Sequence, residues 1–437
     1  MKRLTPCVLV GVVLIVLCVL VSRTRPHTSQ FTVRSPLPPG KVAPQLVSAW
    51  DTGVLLAPDG SLWGWGGTLF QLGALFGKPT VTQTPQRIGS DSDWRAVAPS
   101  LRYVLAQKID GSLWSWGGNR QAKPTRIGTD TNWVQISVGA GHSLALKSDG
   151  SVWAWGQNER GQVGDGTISD KSTPTRIGKD NDWKTIAAGA FNSFALKTDG
   201  TIWAWGLDPV SGGKNDDLSP RQIDPGENWT AISASEYFLL GLKSDGTLWI
   251  GGQNARLAAP ASFSGPTRNL AQIGPDADWR ELYAGQTFFF ARKKDGSWWV
   301  CGDNSNGPLG IGSSVQVAAP RRLPFDFEPW AFAPGYGNTV LLTRDGTLWT
   351  WGTRLGSGSN SRSLVNRLKG ALDSILARVL GRPLFAHPTR DSDLSDPVPH
   401  RLWEFPAKVR QSLGKAVPDD GRKRAGPPTT STNSLPQ

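Results

Sequence analysis

Methionine occurs once in the 437 residues, cysteine three times and histidine four times. Cys7 and Cys18 lie in an N-terminal apolar stretch, which leaves Cys301 alone in the body and excludes a fold stapled by disulfides. One body cysteine builds no zinc site, and His27, His142, His387 and His400 fall in no cluster with metal-ligand spacing. No metal or other cofactor is therefore expected. Charge is also scarce where it would matter. Of the net +12, residues 1–30 carry +4 and residues 361–437 carry +6, so residues 31–360 hold only +2. A nucleic-acid reader presents a basic stripe on its folded body, so no nucleic acid is expected as a partner. What is abundant is glycine (51), proline (32) and tryptophan (21), with 38% hydrophobic residues, enough for a sizeable core.

The ends of the chain differ from its middle. Residues 7–21 are almost entirely Val, Leu, Ile and Cys, preceded by Lys2 and Arg3 and followed by Arg23 and Arg25, the pattern of a membrane-targeting segment. Leu20 stands where signal cleavage after Ser22 wants a small residue. Residues 1–25 are thus read as a signal anchor in preference to a cleaved signal peptide. The expected product is a single-pass membrane protein with its body outside the cytoplasm, or a secreted protein if the segment is removed. Residues 26–44 read as a Pro-rich linker, 45–410 as the folded body and 411–437 as a disordered basic tail.

The body repeats. Asp-Gly followed by x-x-Trp-x-Trp-Gly or a relative recurs at Asp59, Asp110, Asp149, Asp199, Asp245, Asp295 and Asp345, a spacing suited to four short strands plus loops. Trp94, Trp133, Trp183, Trp229 and Trp279 stand 16 residues upstream of an Asp-Gly, and Trp330 stands 15 upstream. Pro-x-Arg-Ile or a relative precedes each of these tryptophans, and Pro399–Leu402 supplies a late copy. In the unit 183–206, Gly189 and Asn192 interrupt two apolar runs, Asp199-Gly200 is a hairpin turn, and period-two alternation places Trp203 and Trp205 on one face. Seven four-stranded meanders read as an all-β, seven-bladed β-propeller.

The repeat also accounts for the tryptophans. Trp63, Trp65, Trp114, Trp116, Trp153, Trp155, Trp203, Trp205, Trp249, Trp299, Trp349 and Trp351 are expected in the repeat core, and Trp203→Ala is expected to open a cavity costing about 3–5 kcal/mol. Gly251 and Cys301 occupy the second Trp position of units five and six, where either a groove or simple drift would result. Unit two is short: sixteen residues separate Gly117 from Trp133, so the rim is low there.

The run 139–166, Gly-Ala-Gly-His-Ser-Leu-Ala-Leu-Lys-Ser-Asp-Gly-Ser-Val-Trp-Ala-Trp-Gly-Gln-Asn-Glu-Arg-Gly-Gln-Val-Gly-Asp-Gly, resembles a repeat of the regulator of chromosome condensation (RCC1) family, and 302–312 repeats its loop. The resemblance spans roughly 45–402 and implies a seven-bladed ring closed by its N- and C-terminal strands, with Pro399–Leu402 as the closing strand. It also implies protein binding, either nucleotide exchange on a small GTPase, as in the best-known member, or capture of an enzyme by one ring face, as in secreted bacterial members.

The last unit carries an insertion, 353–397. Within it Leu364, Leu368, Leu372, Ile375 and Val379 follow a 3,4 spacing flanked by Arg362, Arg367, Lys369, Arg378 and Arg382, the pattern of an amphipathic helix. Leu364, Arg367, Leu368, Lys369, Leu372, Ile375, Arg378 and Val379 are therefore candidate partner-binding residues; plugging of the propeller face by the same helix is the alternative. No catalytic constellation accompanies them: the repeated Asp residues are turn residues, His142 occupies a repeat position, and the Gly-rich segments 161–166 and 307–312 lack the Lys-Ser/Thr of a phosphate loop. The expected protein is a non-catalytic, membrane-anchored, monomeric protein-interaction module. A GTPase regulator is the second reading, and a carbohydrate-binding or enzymatic propeller, which would use an exposed Trp50 or Trp298, is the third. Deletion of 361–382 should leave the β signature in circular dichroism unchanged, and its loss would make that segment part of the fold.

Overall fold

The computed structural model describes residues 40–49, 52–66, 82–100, 103–117, 121–207, 216–226, 228–235, 238–252, 267–353 and 395–405. Residues 7–21, 361–382 and 411–437, expected to be a membrane-targeting segment, an amphipathic helix and a basic tail, lie outside them. Among the described residues no helix is long and apolar enough to cross a membrane.

Seven four-stranded antiparallel sheets follow one another along the chain, at 45–88, 94–127, 133–176, 183–222, 229–272, 279–322 and 329–404. The fourth blade shows why. Its strands are Trp183–Ala188, Asn192–Lys197, Ile202–Gly206 and Asp217–Gln222, each beside the next in chain order. At the Asp-Gly turn, Gly200 takes φ +84°, and a Cβ there would meet the backbone nitrogen of Asn228 at 2.8 Å. Asp199 Oδ1 accepts from the Thr201 amide (2.9 Å) and hydroxyl (2.7 Å), and Thr201 Oγ1 accepts from the Trp203 indole (2.9 Å). This carboxylate–hydroxyl–indole relay recurs at Asp59, Asp110, Asp149, Asp245 and Asp295.

The same turn end carries an arrangement that the motif reading passed over. Trp183 and Lys197 are paired across strands, and the Lys197 ammonium sits 4.8 Å from the ring centres of both Trp183 and Trp203. Asp180 (2.6 Å) and Asp182 (3.2 Å) complete the site from the connection before the blade. Burial opposes the charge on Lys197, but the hydrogen bonds it donates to Asp180 and Asp182 outweigh it and raise the pKa. Lys108, Lys147, Lys243 and Lys293 repeat the contact. Each is a cation–π pair with an ion pair behind it.

The two signature tryptophans separate in depth. Trp205 is fully buried between blades three and four, and Trp65, Trp116, Trp155, Trp349 and Trp351 are buried likewise. Trp63, Trp114, Trp153, Trp203, Trp249 and Trp299 are only half-buried, capped by the lysine where one is present. The expectation for Trp203 is corrected on this point: it shares a face with Trp205 but lies nearer the turn end. The candidate grooves of blades five and six are filled. A Cβ at Gly251 would lie 2.8 Å from Leu270 Cδ2, and Cys301 is buried with its thiol 3.2 Å from the Val317 carbonyl.

Ring closure also differs from the expectation. Among the described residues no blade combines N- and C-terminal strands: Gln45–Ala49 belongs to the first sheet and Ser395–Glu404 is the outer strand of the seventh. Side chains join them. Phe405 N donates to Gly346 O (3.0 Å), as Trp183 N does to Gly150 O and Trp229 N to Gly200 O, so Phe405 stands where a following blade would begin. The strand of the first blade has no tryptophan there, and Trp403 packs against Trp63 instead, ring centres 5.2 Å apart. In the seventh blade Pro329 takes the usual tryptophan register opposite Thr343, and Trp330 packs on Phe405. That one-residue shift is the shorter 15-residue spacing seen in the sequence.

Trp205→Ala should cost about 3–5 kcal/mol and Trp203→Ala about 2 kcal/mol in denaturant unfolding. Equal costs would contradict this assignment of depth.

Candidate functional site

The blades present two unlike faces. One carries the Asp-Gly turns and the connections between blades. The other carries the first turn of each blade and the loops joining third to fourth strands, held side by side by backbone bonds such as Gln157 N to Gly141 O (2.9 Å), Leu207 N to Phe191 O (2.8 Å) and Thr353 N to Gly337 O (2.8 Å).

At the centre of this loop face the inner strands of all seven blades end around a cavity of about 190 Å³. Small residues dominate its wall, among them Ser48, Ser100, Gly139, Ala190, Ser235 and Gly335, and among the described residues no charged side chain lines it. Larger groups would not fit: a Cβ on Gly189 would stand 2.0 Å from Asn192 Oδ1 and 2.9 Å from the Ser235 carbonyl. Polar side chains on the inner strands serve the neighbouring blade. Gln135 Oε1 accepts from Ile186 N (3.1 Å) while its Nε2 donates to Ile186 O (3.1 Å), and Ser137 and Ser233 accept from Ala188 N and Ala284 N.

Exposed apolar side chains concentrate on the same face. Of the five large ones among the described residues, Phe191 and Tyr336 lie in first turns and Ile168 and Val315 in loops; only Ile109 adjoins an Asp-Gly turn. The loops bearing Ile168 and Val315 are built alike. Asn158 Oδ1 accepts from Val163 N (2.9 Å) and Asn304 Oδ1 from Leu309 N (3.0 Å), while their amides donate to Thr167 O (2.9 Å) and Ser313 O (2.7 Å). The Gly-rich segments are turns, as their sequence suggested.

The titratable groups do not converge on this face. His142 is wholly buried in its repeat position, where Asn192 and Asn338 stand in blades four and seven. Ser193 donates its hydroxyl proton to Gln162 O (2.8 Å), so His142 Nε2 must donate to Ser193 Oγ (2.9 Å) and Nδ1 is left buried without a partner. Burial pushes the imidazole pKa down to about 4. Glu281, also buried, accepts from the Tyr283 hydroxyl (2.9 Å) and lies 3.6 Å from Arg292, away from the central cavity. Among the described residues no three His, Cys, Asp or Glu are grouped to hold a metal ion. Trp298, proposed as a sugar platform, is fully buried, stacked on Phe327 at 4.5 Å with its indole donating to Phe327 O (2.9 Å). Trp50 and the residues Leu364, Arg367, Leu368, Lys369, Leu372, Ile375, Arg378 and Val379 lie outside the described residues.

With this geometry in view, comparison with known proteins is specific for the fold. The regulator of chromosome condensation (RCC1) repeat is matched at residues 133–162, 183–210 and 149–196. Solved structures agree. Prp20p of Saccharomyces cerevisiae, reported with its binding properties to Gsp1p and histones, is 20% identical over 67% of this chain and 80% of its own, with a TM-score of 0.58. Yeast RCC1 (Prp20) bound to Kap60 is 18% identical over 87% and 90%, TM-score 0.61, and human WBSCR16 is 18% identical over 75% and 86%, TM-score 0.58. At these identities the likeness is one of fold. No curated protein matches by sequence. The chain is a seven-bladed β-propeller in which residues 133–210 match the RCC1 repeat.

The buried histidine yields a pH test. An unfolded histidine binds its proton near pH 6.5 while folded His142 does so only near 4, so stability is complete above the unfolded value and falls with pH between them, by about 3 kcal/mol in all. Below that window the turn carboxylates continue the loss. Hydrogen bonds from Thr201 hold Asp199 below its ordinary value, and its contribution disappears as pH falls through the folded value. His142→Asn should abolish the slope between pH 6.5 and 4 in urea titrations and leave the acid limb; an unchanged slope would refute the assignment.

Proposed function

We propose that this propeller is a protein-interaction module that engages its partner through the loop face, tethered to a membrane by residues 7–21 with the ring outside the cytoplasm. The observation that carries the binding reading is the placement of four of the five large exposed apolar side chains among the described residues, Ile168, Phe191, Val315 and Tyr336, on the loop face, where Tyr336 also lines the central cavity. The opposite face is a repeated set of satisfied turns and ion pairs. Thr353 and Ser395, which bracket the insertion, are paired with each other at the loop face, so residues 361–382 attach where the partner is expected. The absence of converging titratable groups on the described face favours binding over catalysis.

A GTPase-regulator reading is favoured by one observation, the fold shared with Prp20p, whose structure is reported together with binding to Gsp1p. The near-neutral body and the N-terminal apolar segment weigh towards the tethered module.

The test uses the full chain in its own cell. Protease accessibility of the body in intact cells, with crosslinking capture before lysis, should show an accessible ring joined to an envelope protein. Replacing Ile168, Phe191, Val315 and Tyr336 by Ser should abolish capture, and Ile109→Ser should not. Protection of the body together with capture of a cytosolic GTPase would establish the regulator reading instead.

A further inference from the structure

The outer strand of each blade is a sheet edge, whose outward backbone groups are a template for pairing with a further strand. Six of the seven edges carry the same guard. Pro85, Pro124, Pro174, Pro220, Pro320 and Pro399 share one register, each immediately before a residue paired with the third strand, as Pro220 precedes Arg221 opposite Ala204. Proline has no N–H, so the ladder of the blade does not use that amide and an incoming strand cannot. Charge is the second guard. Arg87, Arg126, Arg176, Arg322 and Arg401 follow two residues after the proline, and in the fourth blade Arg221 follows directly. Two copies of such an edge would meet with like charges side by side.

The fifth blade has neither guard. Its outer strand, Thr267–Gln272, keeps the register, with Ala271 opposite Ile250 and Gln272 opposite Trp249. The proline position holds Leu270, however, and the arginine position holds Gln272. The first exchange has a cause in the packing: Leu270 lies against Gly251, where the second tryptophan of the repeat is missing. Filling that gap unblocks the edge. Ile273 N donates to Leu248 O (2.7 Å), and alternation along the strand turns the N–H and C=O of Gln272 and of Leu270 outward. Gln272 is exposed, and Leu270 and Ala271 are half-buried. Residues 270–272 thus present two outward donor–acceptor pairs and no charge.

We propose that this edge joins two copies of the chain, strand against strand and antiparallel about a two-fold axis at Ala271. Leu270 of one copy faces Gln272 of the other, so their outward amides and carbonyls satisfy one another, and Ala271 meets its own counterpart. Arg268 falls opposite Gly274 of the second copy, so no charge meets its like. The stretch is self-complementary and neutral, with nothing on it to select a foreign strand by charge. One unguarded edge per ring closes the assembly at two copies, because the contact is isologous. The other six edges, each with its proline, cannot extend it.

The test uses the full chain in detergent micelles, where sedimentation equilibrium should give a dimer. Gln272→Arg restores the charge found on other edges and leaves Leu270 over Gly251; it should raise the dissociation constant at least about tenfold. Leu270→Pro restores the proline of the other six blades and should do the same. If it also lowers the unfolding midpoint by emptying the space beside Gly251, Gln272→Arg decides alone. Ala271→Cys should form an intermolecular disulfide in air, since Cα atoms paired across such an axis lie about 4.5 Å apart. Gln86→Cys, at the same register in the guarded first blade, should cross-link no more than the unsubstituted chain, in which Cys7 and Cys18 set the background. A monomer at about 100 µM chain, a dimer indifferent to Gln272→Arg, or equal cross-linking of the two cysteine variants would overturn the proposal.

Discussion

Seven twisted sheets set round one axis touch at the hub and diverge towards the rim, and filling that wedge is the constraint on which the rest of this structure depends. The chain meets it with a gradient of side-chain size. Glycine, alanine and serine occupy the inner strand ends, where a single extra carbon would strike the neighbouring blade. Indoles occupy the third strands, farther out along the wedge, and the lysine between two rings seals its turn end. The relay from aspartate through a hydroxyl to the indole sets the angle of each outer ring, so the turn and the packing of the blade are one device.

Much of this was legible in the sequence because the repeat is in phase. The Asp-Gly turns, the four-strand unit, the structural place of His142 and the low rim of the second blade all follow from spacing alone. Lys108, Lys147, Lys197, Lys243 and Lys293 were equally in phase, two residues before each Asp-Gly, but a lone lysine beside a turn reads as surface until the two indoles are placed around it. Period-two alternation put Trp203 and Trp205 on one face without revealing their depth, because depth is set by the loop of the preceding blade. The Trp403–Trp63 contact could not be read from the repeat, since Trp403 lies outside the motif and meets Trp63 from the far end of the chain, while Phe405 meets Trp330 within the seventh blade.

A division of labour between the faces follows. The turn face is the more regular, its charges paired and its backbone bonds closed blade after blade. The loop face varies in length, from three residues in the second blade to an insertion of about forty in the seventh, around a hub of small residues. A ring of this kind can change what it recognises in the outer parts of these connections while Val163 and Leu309 keep two of them packed in the core.

The seam has an evolutionary consequence. Because every blade is one uninterrupted stretch of chain, duplication or loss of a gene segment of about fifty residues adds or removes a whole blade and leaves the internal joints of the others as they were. The joint between the first and last blades is made as the others are, by a shared core of Leu46, Leu55, Val340 and Leu342 and a bond from Ser48 to Asn338, with the Trp403–Trp63 contact added. Blade number in such a lineage is then a heritable trait, set without the exchange of a strand.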